Sequence, residues 1–265
     1  MSPAPKKTRR YSTVLTKPYE LIHDDCLAAL ERYPNNSVDL IFADPPYFLS
    51  SGGMTCQSGR MVSVNKARWD TGRPLEEVHE FNLKWLSACK EKLTDRGTIF
   101  ISGTFHNIYS IGFGLQSLDF KILNDISWFK VNPPPNLSCR YFTHSTEQII
   151  WAKKSSKAKH VFNYSTMKAI GDPTPGKQML SLWRITPPRS AEKSLGRHPT
   201  QKPIELMKRI ILAASNEGDL VLDPFMGSGT TGVAAVMLGR RFVGIDSDKS
   251  YVDLSEKRIR HALLV

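Results

Sequence analysis

The sequence predicts an α/β fold, a largely parallel sheet with helices on both faces. Three observations predict it. Short apolar runs bounded by turn residues alternate with segments whose apolar residues recur at helical spacing. A turn carrying Gly227, Gly229 and Gly232 joins one such run directly to a helical pattern. The chain has 265 residues, enough for one α/β domain with an insertion.

In chain order, residues 19–24 (YELIHD) read as a first strand. Residues 38–43 (VDLIFA) are an unbroken apolar run, as in a strand buried on both faces. Leu75, Val78, Phe81, Leu86 and Leu93 then recur at helical spacing. Gly97 precedes a strand-like TIFIS, a helix is predicted from Asn107 to Ser117, and strands follow near 120–123 and 126–129. Late in the chain, residues 219–223 (DLVLD) lead through the glycine turn into a small-residue helix ending at Leu238. Residues 241–246 (RFVGID) form another strand, and 248–263 a closing helix. Strands alternating with helices predict parallel pairing.

Two stretches break this rhythm. Residues 48–73 are rich in Ser and Gly without clear periodicity, predicting a long loop that either closes over a bound ligand, with Trp69 as a packing anchor, or is a merely disordered surface loop. Residues 130–197 are basic and dotted with prolines, predicting an insertion outside the central sheet.

Composition excludes several classes. With 40% hydrophobic and 23% charged residues the chain is neither disordered nor collagen-like. No apolar run approaches the ~20 residues a membrane helix needs, and MSPAPKKTRR lacks the hydrophobic core of a secretory signal. Cys26, Cys56, Cys89 and Cys139 lie far apart with no CxxC pair, as expected of reduced thiols in a cytoplasmic protein without a metal site. The net charge of +11 is unevenly spread. Residues 1–18 hold five basic and no acidic residues, 130–202 hold thirteen and three, and the remainder carries a slight acidic excess. A concentrated basic stretch is either a solvated face or a surface that tracks phosphates.

Three constellations carry chemistry. Asp44-Pro45-Pro46-Tyr47 ends the second strand. The prolines fix the backbone and hold Asp44 extended, which sets a carboxylate, carbonyl acceptors and an aromatic ring at the sheet's C-terminal edge. A plain Pro-Pro turn is the alternative. Asp223-Pro-Phe225-Met-Gly227-Ser-Gly229-Thr230-Thr-Gly232 offers backbone N–H groups at a helix start, and Asp246 ends the next strand, where an acid can accept ribose hydroxyls or cap a helix. His198-Pro-Thr200-Gln201-Lys202-Pro203 precedes a helical pattern, with Thr200 or Gln201 as caps and Lys202 placed for an anionic ligand.

Jointly these residues resemble the β class of amino-group DNA methyltransferases, with the catalytic motif first, a target-recognition region next and the cofactor motifs last. The resemblance spans roughly 18–263. It implies a Rossmann-like S-adenosylmethionine-dependent methyltransferase fold, circularly permuted. Residues 1–18 would be a basic tail, 19–129 the catalytic half, 130–197 the inserted target-recognition region and 198–265 the cofactor half. FADPPYFLSSGG and SCRYFTHSTE are further similar to the DpnA-type second methyltransferases of GATC restriction systems.

The implied reaction moves a methyl group from S-adenosyl-L-methionine to the N6 amino group of adenine. Asp44 and the Pro45 carbonyl would accept the amine N–H groups beside Pro46, and Tyr47 would stack on the extruded base. Cofactor contacts fall to Asp25, Cys26, Thr200, Lys202, Asp223, Phe225, Gly227, Gly229, Thr230 and Asp246. Asn132, Asn136 and Arg140 are expected to read bases, and Lys153, Lys154, Lys157 and Lys159 to hold phosphates. The partners are DNA and no membrane. A homodimer and a cognate restriction endonuclease at the same site are compatible with the resemblance, and neither has a residue signature of its own.

Cytosine-N4 transfer uses the same geometry, though Ser often replaces the Asp there. Cytosine-C5 transfer is excluded, because no cysteine follows a proline. An NAD-dependent oxidoreductase would explain the glycines and Asp246 but neither DPPY nor HPTQKP. A catalytically silent DNA-binding protein would bind without transfer.

Overall fold

The computed structural model describes residues 15, 17–47, 73–133 and 135–264, with the backbone of two strands between 48 and 72. Ten strands are β1 (Tyr19–His23), β2 (Val38–Ala43), β3 (Met54–Gln57), β4 (Arg60–Ser63), β5 (Leu93–Gly103), β6 (Lys121–Phe129), β7 (Thr146–Lys153), β8 (Leu182–Arg184), β9 (Leu220–Asp223) and β10 (Arg241–Asp246). Seven helices are α1 (Cys26–Arg32), α2 (Leu75–Lys92), α3 (Ile108–Ser117), α4 (Tyr164–Ile170), α5 (Ile204–Ala214), α6 (Thr230–Met237) and α7 (Lys249–Ala262).

Eight strands form one sheet in the order β1-β10-β9-β2-β5-β7-β6-β8. All pairings are parallel except the two made by β7, which runs against both neighbours. The apolar run in β2 has the predicted cause. Leu40 and Phe42 face a core with α5, α6 and α7, while Ile41 and Ala43 face a second core with α1, α2 and α3. Strand order changes direction between β9 and β2: from β9 the chain proceeds outward through β10, and from β2 outward through β5. A crevice opens at such a point beyond the carboxyl ends of the strands. Among the described residues no helix is long and apolar enough to cross a membrane.

Three expectations are corrected. Residues 130–197 are not outside the sheet, because β7 and β8 lie in it. Ile149, Ile150, Trp151 and Ala152 are buried in β7, a short apolar run concealed within basic sequence. The strands expected near 120–123 and 126–129 are one strand, β6, with a register shift between Ile122 and Asn124. The 48–73 loop contains an antiparallel hairpin, β3–β4, and Trp69 lies outside the described residues. Strand β1 pairs with β10, so residues 19–23 lie beside the strands from the end of the chain.

Candidate active site at the switch point

A cavity of about 330 Å³ lies at the carboxyl ends of β1, β2, β9 and β10. It is lined by Asp25, Cys26, Asp44, Pro46, Thr200, Lys202, Asp223, Phe225, Gly227, Thr230 and Asp246, so most residues singled out in three distant motifs converge on one space. Pro45, Tyr47 and Gly229 are outside its lining.

The glycine turn is shaped by its surroundings. Gly227 and Gly229 have φ of 50° and 70°, where side chains are strained. A Cβ at Gly229 would come within 2.6 Å of Ser255 Oγ, and one at Gly227 within 3.1 Å of the His198 ring. Asp246 holds the turn from the next strand, its Oδ2 accepting from Gly227 N at 2.9 Å and its Oδ1 from Asp248 N at 2.9 Å. Asp223 accepts from Thr231 Oγ1 at 2.6 Å and from Phe225 N at 3.0 Å. Burial pushes the Asp223 carboxyl up to about 7 and raises that of Asp246. Asp25 caps α1, accepting from the N–H groups of Leu27 and Ala28. The Cys26 thiol is pushed up to about 12 by burial, which removes it as a nucleophile.

On the opposite wall Asp44 is clasped on both oxygens. Tyr47 donates its hydroxyl to Oδ1 at 2.6 Å, and Lys202 Nζ donates to Oδ2 at 2.5 Å. Lys202 also lies 3.6 Å from Glu147 Oε2, and Lys130 meets Glu147 Oε1 at 2.5 Å. Burial opposes the Lys202 charge, but Asp44, Tyr47 and Glu147 outweigh it and hold the ammonium protonated. The Tyr47 hydroxyl is raised well above its ordinary value by burial and by Asp44.

Lys202 lines the cavity with its ammonium on the Asp44 carboxylate. Tyr47 is 8% exposed with its hydroxyl engaged, so its ring is not presented for stacking in this state. Neither Thr200 nor Gln201 caps α5. Glu192 Oε2 accepts from Ile204 N instead, at 2.9 Å.

The DPPY turn is fixed from behind by residues with no motif signature. Asn107 donates to Pro46 O at 3.3 Å and accepts from Asn82 at 2.6 Å, and Asn82 accepts from Trp85 Nε1 at 3.0 Å. Asn82, Trp85 and Asn107 are fully buried. Trp85 meets Phe225 edge-on, with ring centroids 5.4 Å apart, so α2 joins the two motif walls. Glu147 and this asparagine pair carry no signature as site residues, because each gains its meaning only through contacts between elements distant in the chain.

The seven predicted DNA contacts separate. Strand β6, which runs in the same direction as β5 and β2, delivers the 130–145 loop to the edge that carries Asp44. There Asn132 and Arg140 are exposed, while Asn136 is occupied in closing the loop: it donates to Tyr141 O and accepts from Ser138. Lys153, Lys154, Lys157 and Lys159 leave the other end of β7. Lys153 pairs with Thr98, whereas Gln148 pairs with Gly103. The lysines therefore start about 17 Å back along the sheet. Lys153 donates to Ser156 O and Ala158 O, and Lys154 to Asn36 and Leu93 O. Any phosphate that these four lysines hold therefore lies away from the edge that carries Asp44.

Fold and cavity together define a doubly wound α/β protein with a ligand site at its switch point. The chain belongs to the DNA methylase family, whose N6/N4 methyltransferase model matches residues 38–257. It is 53% identical over 258 residues to the Type II methyltransferase M2.DpnII of Streptococcus pneumoniae, covering 94% of this chain and 95% of that protein. It is 48% identical over 243 residues to M2.MboI of Moraxella bovis, covering 91% and 88%. The solved structure of the M1.HpyAVI–SAM complex superposes with a TM-score of 0.67 at 30% identity, covering 91% of this chain and 98% of that one. The PvuII cytosine-N4-specific DNA methyltransferase, at 20% identity and a TM-score of 0.72 over 94% and 89%, shares the fold. The chain thus has the Rossmann-like methyltransferase fold, with the DPPY half preceding the glycine-turn half.

Proposed function

We propose that the protein transfers a methyl group from S-adenosyl-L-methionine to the N6 amino group of adenine at a specific DNA sequence, GATC. The setting is restriction–modification, beside an endonuclease that cuts the same sequence. The observation that carries this reading is the placement of Asp44, a carboxylate gripped by Lys202 and Tyr47 on the wall of an acid-lined cavity.

The lining suits the cofactor. Four carboxylates in the lining, Asp25, Asp44, Asp223 and Asp246, outnumber its two cations, Lys202 and Arg73, which favours a ligand that carries sulfonium and ammonium charges over a dinucleotide's pyrophosphate. Phe225, backed by Trp85 and Phe81, supplies an apolar wall for an adenine ring. S-adenosyl-L-methionine supplies a methyl group made electrophilic by its sulfonium.

Asp44 would accept an N–H of the target amine and turn its lone pair toward the methyl group; the N–C bond would form as the sulfonium C–S bond breaks, the neutral thioether leaving and one amine proton passing to solvent. In the present arrangement both Asp44 oxygens are engaged, so the amine displaces the Tyr47 hydroxyl or shares Oδ2 with Lys202. Glu147 keeps the Lys202 ammonium compensated as that contact loosens. The target base must leave the duplex stack to reach this wall.

Adenine is favoured over cytosine by Asp44 at the head of the motif and by the likeness to M2.DpnII and M2.MboI. The test is to express the chain in a methylation-deficient host and sequence the modified bases, alongside Asp44→Ala. N6-methyladenine in GATC is expected, lost by at least ~10³-fold in the variant while DNA binding persists. N4-methylcytosine would overturn the base assignment, and substantial turnover by Asp44→Ala would overturn the role of Asp44.

A further inference from the structure

The catalytic edge carries a group of aromatic rings that the reaction above does not use. Phe105 lies in the turn from β5 to α3, and Tyr141, Phe142 and His144 lie in the loop from β6 to β7. Both turns leave the sheet at the edge that holds Asp44. Phe105 stacks on His144 with centroids 4.8 Å apart and planes 24° from parallel, and Tyr141 lies 5.5 Å from His144. The group stays open to solvent: Phe105 is 47% exposed, Tyr141 60% and Phe142 95%. It is also fastened to the motif, because Asn107, two residues beyond Phe105, donates to Pro46 O.

Clustered exposed rings mark a contact surface. Its partner follows from what surrounds it. Between Val131 and His144 the only formally charged side chain is Arg140, so the loop is a poor phosphate clamp and a good match for flat, uncharged ring faces. Extruding a target base toward Asp44 exposes such faces on the bases it leaves behind, and stacking on aromatic side chains compensates for that loss.

We propose that Phe105, Tyr141, Phe142 and His144 form a stacking surface for the nucleobases beside the extruded target. The proposal rests on the base-extruding reading above and extends it to residues outside the cavity.

The test uses Phe105→Ala and Phe142→Ala, with Phe105→Tyr and Phe142→Trp as conservative partners. Methyl-transfer kinetics, DNA affinity at 50 and 200 mM salt, and the fluorescence of 2-aminopurine at the target position are measured together. Each alanine variant should raise KM and Kd for DNA by roughly 10-fold and diminish the 2-aminopurine signal at equal saturation. The salt slope should not change, because no phosphate contact is lost. Aromatic replacements should restore affinity. Unchanged Kd and fluorescence, or a weakened Kd with a reduced salt slope, would overturn the stacking role. Phe142, almost fully exposed, keeps the test valid if Phe105→Ala loses cofactor binding and hence its fold. DNA affinity is read independently of turnover, so a chain that stacks bases but transfers no methyl group would refute the functional reading and leave this surface standing.

Discussion

The two ends of β7 carry different chemistries. Its first residue follows the 131–144 loop at the catalytic edge, where rings and a single formal charge face solvent beside the DPPY turn. Its last residue opens a run with four lysines at 153–159 on the opposite edge, two of them holding backbone carbonyls. Both ends belong to the basic stretch that composition singles out. Charge density therefore identifies a segment, but strand direction decides which end of it lies beside Asp44.

The largest effects expected of this contrast lie where β7 begins, at Glu147 and the lysine it compensates. Its carboxylate meets Lys130 and Lys202, and Lys202 in turn holds Asp44. Glu147→Gln keeps volume and removes charge, so Lys202 remains paired only with Asp44 and releases it less readily. A fall of roughly 10- to 100-fold in single-turnover methyl transfer is expected, with cofactor affinity unchanged. Lys202→Met should be more severe and also lower stability by about 1–3 kcal/mol, because two half-buried carboxylates lose a shared cation and only Glu147 keeps another, Lys130. Thermal melts separate that loss from catalysis. Full turnover in Glu147→Gln would show the glutamate to be a packing element alone.

How much of this was legible in the sequence follows from the range of the interactions. The DPPY turn, the glycine turn and the β2 run are local: proline geometry, positive φ and two-faced burial act within a few residues. Glu147 and Asn107 act across strands, and no spacing rule connects them to Asp44, 103 and 63 positions away in the chain. Strand β7 was missed because Ile149–Ala152 is a short apolar run between charged ends, and the surrounding lysines dominated its reading. The reversed direction of β7 was likewise beyond reach, yet that reversal sends Lys153 to the edge away from the site.

A smaller effect is expected at Arg140, exposed on the catalytic-edge loop. Arg140→Gln should weaken DNA binding by roughly 3- to 10-fold. If Arg140 meets a phosphate, the slope of log K against log salt falls by about 0.9; if it reads a base, the slope holds and sequence discrimination relaxes. Affinity titrations at several salt concentrations on matched and mismatched duplexes distinguish these outcomes. No change in either quantity would remove the loop's only formal charge from the interface.

The smallest effect is the most demanding of the comparison. Lys157 and Lys159 are exposed and lie beyond the end of β7, about 17 Å or more along the sheet from the catalytic edge. At 0.15 M salt the Debye length is ~8 Å, so their charges are largely screened from a duplex seated over Asp44. The double variant Lys157→Gln/Lys159→Gln should therefore bind DNA within about twofold of the parent, with the same salt slope. Lys154 supplies the internal contrast. Lys154→Met loses hydrogen bonds to Asn36 and Leu93 O, which join β7 to the starts of β2 and β5. It should lower stability by about 1–2 kcal/mol without altering DNA affinity. A flattened salt slope in the double variant would mean that DNA wraps to the far edge, and the division of β7 into a reacting end and a structural end would fall.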